Sequence, residues 1–105
     1  LHHGTLNAVF LPAVIAFNAS TDSIRKEKRL ERMARAMGLA SNAEIGPAIK
    51  EMSQRLGLPT GLSAMGVNEG QFEAIIDGAM ADHCHKTNPR LASRDDYRAM
   101  LLQSI

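Results

Sequence analysis

The sequence has no tryptophan, one tyrosine and three phenylalanines, so aromatic residues make up 4% of its 105 residues. That scarcity argues against a platform on which the bases of single-stranded nucleic acid stack. It has a single cysteine, Cys84, which excludes an internal disulfide framework and a cysteine-rich zinc site. It lacks a dominant charge: 12 Lys and Arg against 11 Asp and Glu leave +1, too even to imply a polyanionic partner. It also lacks a long apolar run. The longest, Ala8 to Phe17, falls well short of the ~20 residues needed to cross a bilayer. No basic segment precedes that run and no cleavage region follows it, so it does not read as a signal peptide. The resulting expectation is a cytoplasmic protein with no membrane and no nucleic-acid partner.

What is present is ordinary for a folded domain. Hydrophobic residues make up 45% and charged residues 22%, which excludes wholesale disorder. The length bounds the chain to one small domain. It begins with Leu1, and because methionine removal normally needs a small second residue, the expectation is a piece of a longer protein.

No segment alternates apolar and polar residues, and none has the β-branched density of a strand. The fold class expected is all-α, about five helices in a bundle. The first spans about Thr5 to Phe17. It is apolar nearly all round, which predicts a central position, and Pro12 inside it predicts a kink. A polar break at Asn18–Asp22 precedes a second helix over Ser23–Met37, ended by Gly38, with Ile24, Leu30, Met33, Ala34 and Met37 as its buried stripe. Ser41–Glu44 has capping-box spacing before a third helix ending near Leu56, with Ile45, Ile49, Met52 and Leu56 facing inward. Gly46-Pro47 sits awkwardly at its start. Residues 60–67 read as a single turn. Asn68 is an N-cap signal for a fourth helix over Glu69–Ala81, burying Phe72, Ile75, Ile76, Ala79 and Met80. Lys86–Arg90 reads as a loop, since the residue before Pro89 avoids the helical region. Ser93–Asp96 caps the last helix, which carries Tyr97, Met100, Leu101 and Ile105.

Three clusters could carry chemistry. His2 and His3 are adjacent, so on a helix they diverge and do not chelate one ion together; either could supply one ligand to a metal held elsewhere. Asp82-His83-Cys84-His85 invites a zinc reading, but structural zinc sites need two spaced pairs and here there is one cluster. The alternative is that these residues end a helix and line a cleft or packing surface. Asn88-Pro89-Arg90 is a rigid polar loop suited to hold a neighbouring loop, bind an anion or make a turn. The helix from Arg25 to Arg35 is basic, but acids interleave: Asp22 with Lys26 and Glu31 with Arg35 are spaced as surface pairs, which predicts a solvated face.

Taken together these residues resemble a known family. His3-Gly4, Ala8, Leu11-Pro12, Val14 and Phe17-Asn18 resemble the His-Gly helix of the iron-containing alcohol dehydrogenases. Ala36-Met37-Gly38-Leu39, Leu56–Pro59 and Gly66-Val67 follow in the family's order. Ala79–Arg90 is similar to the family's C-terminal signature. The resemblance implies a two-domain enzyme: an N-terminal α/β domain that binds NAD or NADP, and a helical domain of which residues 1–105 are the last part. It implies an Fe(2+) or Zn(2+) ion held by one Asp and three His, with His3 matching the last His and the other three ligands upstream. Cys84 matches a position lining the substrate and nicotinamide pocket. His2, His83 and His85 match no ligand position. The implied partners are the nucleotide-binding domain of the same protein, a small alcohol or aldehyde, and further copies in a homo-oligomer. With one ligand of four, the chain alone is expected neither to hold a metal tightly nor to turn over substrate. Two alternatives stand beside this reading: a metal-free relative resembling the maleylacetate reductases, and a stand-alone helical interaction module.

Overall fold

A computed structural model of the chain describes residues 1–41 and 43–105. Among these residues there are six α-helices, three 3-10 turns and no strand, in agreement with the all-α expectation. No helix is long and apolar enough to cross a membrane.

Helix α1 (His3–Asn18) is the element the others gather on. It packs against α4 (Ile45–Arg55), α6 (Arg94–Ser104) and the 3-10 turn at Leu62–Met65. Val9 and Ala13 are buried, whereas Leu11 is 42% exposed. The helix runs without interruption through Pro12. Where α4 crosses it, Gly46 lies so close that an added Cβ would stand 3.2 Å from the Pro12 carbonyl oxygen. Glycine is used here for close approach of two backbones. Pro47 is the third residue of α4, and within the first turn its missing N–H has no intrahelical partner to lose. The sequence Ile45-Gly46-Pro47 therefore starts a helix. The expected Ser41–Glu44 capping box includes Asn42, which lies outside the described residues; Glu44 is the N-cap residue, with no side-chain cap bond.

The expected second helix is two. Helix α2 (Asp22–Lys26) and α3 (Arg29–Ala36) are separated at Lys28, which has φ 52° and ψ 41°. A left-handed lysine costs roughly 1–2 kcal/mol. Beyond the break, Leu30, Ala34 and Leu39 pack with Ile45 and Ile49 of α4. Neither glycine nor proline marks this break, so only tertiary packing sets it. The ion pair on this stretch is Glu27–Arg29 at 2.7 Å; Asp22–Lys26 and Glu31–Arg35 are not among the pairs formed by the described residues.

Several residues expected inside are half in water: Met33, Met37 and Met52 are about 40% exposed and Leu56 is 67% exposed. Helix α3 docks onto α4 along a narrow strip around Ala34. Ile75 is likewise 39% exposed.

The second half follows its signals closely. Asn68 caps the 3-10 turn at Glu69–Gln71, accepting from the Gly70 N–H at 2.9 Å, while Gln71 Oε1 accepts from the Asn68 N–H at 2.9 Å. Helix α5 (Phe72–Ala81) continues from it and buries Phe72 and Ile76 completely. Ser93 and Asp96 form a reciprocal capping box at the start of α6. Arg94 bridges Glu73 at 2.9 Å and Asp77 at 2.7 Å, and Arg98 also pairs with Glu73, tying α5 to α6. These pairs are half-exposed and individually worth little.

The α1–α4 crossing yields a test. Gly46→Val should lower stability by about 1–3 kcal/mol, the usual cost of overpacking, read as a lower denaturant midpoint with an unchanged slope. An unchanged midpoint would show that the two backbones are free to separate.

Candidate functional site

The two histidines at the start of α1 do different work. His2 is the N-cap residue: its Nδ1 accepts from the Thr5 N–H at 3.3 Å and lies 3.1 Å from Thr5 Oγ1. An imidazole thus fills a role usually taken by a Ser, Thr, Asn or Asp oxygen. His3 is exposed, one residue into the helix, with Nε2 3.1 Å from Asn7 Nδ2. The amide donates, so Nε2 presents its lone pair. The two rings diverge, as their adjacency predicts.

The other expected cluster folds as a tight local turn. Asp82 ends α5 and caps the 3-10 turn at His83–Thr87, its Oδ1 accepting from the Cys84 N–H at 2.7 Å. That bond holds the Asp82 carboxyl below its usual range. The same carboxylate pushes the Cys84 thiol up, so the exposed sulfur remains a thiol and is a poor nucleophile. Its Sγ lies 3.4 Å from His83 Nε2. Donor atoms of Asp82, His83 and Cys84 fall within 4.8 Å of one another. They are three consecutive exposed residues, and His3 is not among them.

The signature segment is tied to its surroundings at two points. His85 Nδ1 meets the Tyr97 hydroxyl of α6 at 2.8 Å, and burial raises the phenol's pKa. Asn88 exchanges two amide hydrogen bonds with Asn18, at 2.8 and 3.1 Å, and donates to the Arg90 carbonyl. Arg90 donates to the Phe17 carbonyl at 3.1 Å and lays its guanidinium 4.1 Å from the centre of the Phe17 ring. Of the roles open to Asn88-Pro89-Arg90, the observed one is holding a neighbouring segment: the end of α1. Sequence reasoning missed the His85–Tyr97 bond, because no spacing rule links residues on different elements. It read Asn18 as a polar break and Phe17-Asn18 as part of a motif, without a partner for either; a polar Asn after an apolar helix was the available signal.

A cavity of about 670 Å³ lies elsewhere. It is an apolar groove between α1 and α4, lined by residues such as Pro12, Ala16, Leu30, Gly46 and Pro47. Neither His3 nor Cys84 lines it.

The family model described as Fe-containing alcohol dehydrogenase, C-terminal, matches residues 1–105, and the chain belongs to this family. It is 55% identical over 105 residues to a 4-hydroxybutyrate dehydrogenase of Cupriavidus necator, covering all of this chain and 28% of that protein. It is 30% identical to an NADPH-dependent butanol dehydrogenase of Clostridium saccharobutylicum, over 91% of this chain and 26% of that protein. It is 34% identical to a maleylacetate reductase of Burkholderia cepacia, over 96% of this chain and 26% of that protein. The chain thus spans little more than a quarter of these relatives' length. No solved structure matches it significantly.

Two measurements test this geometry. Asn18→Ala and Asn88→Ala should each cost about 1–3 kcal/mol by stranding the partner amide, and the double variant little more than either alone; additive losses would deny the pairing. Asp82→Asn keeps an acceptor for the Cys84 N–H but removes the charge. Alkylation of Cys84 by iodoacetamide near pH 8 should therefore quicken, and an unchanged rate would show that Asp82 does not govern the thiol.

Proposed function

We propose that this chain is the terminal part of the helical domain of an NAD(P)-linked, metal-dependent dehydrogenase that oxidises a short hydroxy acid or alcohol. The observation that carries this reading is the whole-length 55% identity to a 4-hydroxybutyrate dehydrogenase. An α/β nucleotide-binding domain upstream in the same protein completes the enzyme, in the cytoplasm and as a homo-oligomer. NAD or NADP accepts the hydride.

His3 is the residue of this chain that would hold the metal, Fe(2+) or Zn(2+). The fit is chemical: the ring is exposed, and Nε2 presents a lone pair to an amide that can rotate away. One imidazole does not make a site, so an Asp and two further His come from upstream. When bound, the metal supplies Lewis acidity that favours the alkoxide over the alcohol. The chain's own residues do the positioning. The Asp82 carboxylate keeps Cys84 as an uncharged thiol, and that thiol lines the pocket for substrate and nicotinamide. Tyr97 and Asn88 fix the turn that carries Cys84.

The likeness to a maleylacetate reductase supports a second reading, hydride transfer without the metal, in which His3 serves another purpose. The experiment separates the two. In the full-length enzyme, His3→Ala should lower both bound metal, measured by elemental analysis, and kcat/KM by about a hundredfold or more, while His2→Ala should retain both. Full activity in the His3→Ala enzyme without bound metal would favour the second reading. Residues 1–105 alone should neither retain iron through dialysis nor turn over substrate with NAD or NADP; turnover by that piece would overturn the division of labour.

A further inference from the structure

We infer that His85, positioned by Tyr97, is the residue that recognises a carboxylate on the substrate, at the end remote from the reacting hydroxyl. The ligand class is the short ω-hydroxy acids and their semialdehydes. This rests on the dehydrogenase reading above, with Cys84 in the substrate pocket.

The argument begins with what each polar group on the turn already does. Asp82 Oδ1 is engaged by the Cys84 N–H. Thr87 Oγ1 donates to the Cys84 carbonyl at 2.9 Å. Arg90 is committed to the Phe17 carbonyl and ring, and Asn88 to Asn18 and Arg90. His83 is almost fully exposed, its side chain 93% accessible. That leaves His85, which is half-buried and held on one side only.

Its one bond determines what the other side offers. The Tyr97 ring packs against two core clusters, beside Phe10, so its hydroxyl has a fixed place. The two rings lie 5.6 Å apart at 42°. With the phenol donating to Nδ1, the imidazole carries its proton on Nε2. Among the described residues Nε2–H has no acceptor. That donor is open to solvent, and an anionic acceptor is the partner it gains most from when a ligand displaces water there. Lys86, the next residue, is exposed and forms no ion pair among the described residues, which adds positive charge on the same turn. The turn thus offers two uncommitted donors, and its one carboxylate oxygen near the thiol is already engaged. Cys84 and His85 are carried on the same 3-10 turn, so a pocket that takes in this turn is bordered by both.

A plain alcohol leaves the His85 donor unpaired, and a hydroxy acid satisfies it. Sites built to hydrogen-bond a substrate group discriminate strongly against analogues that lack it. Tyr97 acts as a positioning residue: it holds the tautomer and orientation without meeting the substrate.

The test uses the full-length enzyme with its metal and nucleotide, and compares 4-hydroxybutyrate with 1-butanol. His85→Ala should lower the ratio of kcat/KM for 4-hydroxybutyrate to that for 1-butanol by about ten- to a hundredfold, mostly through KM. Butyrate, which has the carboxylate and no reacting hydroxyl, should inhibit the variant correspondingly more weakly. Tyr97→Phe keeps the ring in the core and should produce a smaller shift of the same kind, in KM and not kcat. His85→Gln, which keeps a donor, should recover part of the loss. Equal losses on both substrates, or an unchanged ratio with unchanged butyrate inhibition, would overturn the role of His85 while leaving the dehydrogenase reading intact. A wild-type enzyme that oxidises 1-butanol but not 4-hydroxybutyrate would overturn the substrate class. One that oxidises neither would overturn the dehydrogenase reading itself.

Discussion

The contact between α1 and α4 at Pro12 and Gly46 is the constraint on which the domain depends. An apolar helix with little intrinsic sidedness has to be given its orientation by its neighbours, and a backbone-to-backbone approach does this more sharply than side-chain packing. With no Cβ at Gly46, the Pro12 carbonyl region can be met directly. Once α4 is seated, Ile45 and Ile49 present the surface on which Leu30 and Ala34 of α3 settle. On its other side, α1 gives Val9 to the cluster sealed by Phe72 and Ile76. Each later element is placed by reference to this helix.

This dependence explains which parts of the fold were legible from the residues. Where the structure is set by local chemistry, reading was direct: the Ser93–Asp96 box and the Asn68 cap form as their side chains predict. Where tertiary packing decides, local signals pointed elsewhere. Lys28 sits in a run of good helix formers, and nothing there announces a left-handed residue. The methionine stripe of α3 obeys helical spacing, yet a helix docked along one narrow strip leaves Met33 and Met37 half in water. Hydrophobic spacing tells which face is apolar, not how much of that face a neighbour covers.

The candidate site divides the same way. The divergence of His2 and His3 follows from helix geometry, and the isolation of Asp82-His83-Cys84 from any second ligand pair follows from composition. Asn88-Pro89-Arg90 was readable as a rigid polar loop with several roles open to it. Its actual role needed Asn18 and Phe17, which are some 70 residues away in sequence. The His85–Tyr97 bond was invisible for the same reason. An aromatic at an inward helical position reads as core, and Tyr97 is core over most of its surface, while its hydroxyl serves another element.

The amide pair between Asn18 and Asn88 gives α1 a further property. The helix carries His3 at its first turn and grips the signature loop at its last. Over sixteen residues that is a rod of roughly 24 Å, stiff on the scale of ligand chemistry. The distance from the imidazole to the Asn18–Asn88 latch is therefore set by a ruler inside the fold, not by the softer loops around it. A tilt of the rod would carry both ends together, so the chain can shift within a larger assembly without losing the spacing between them.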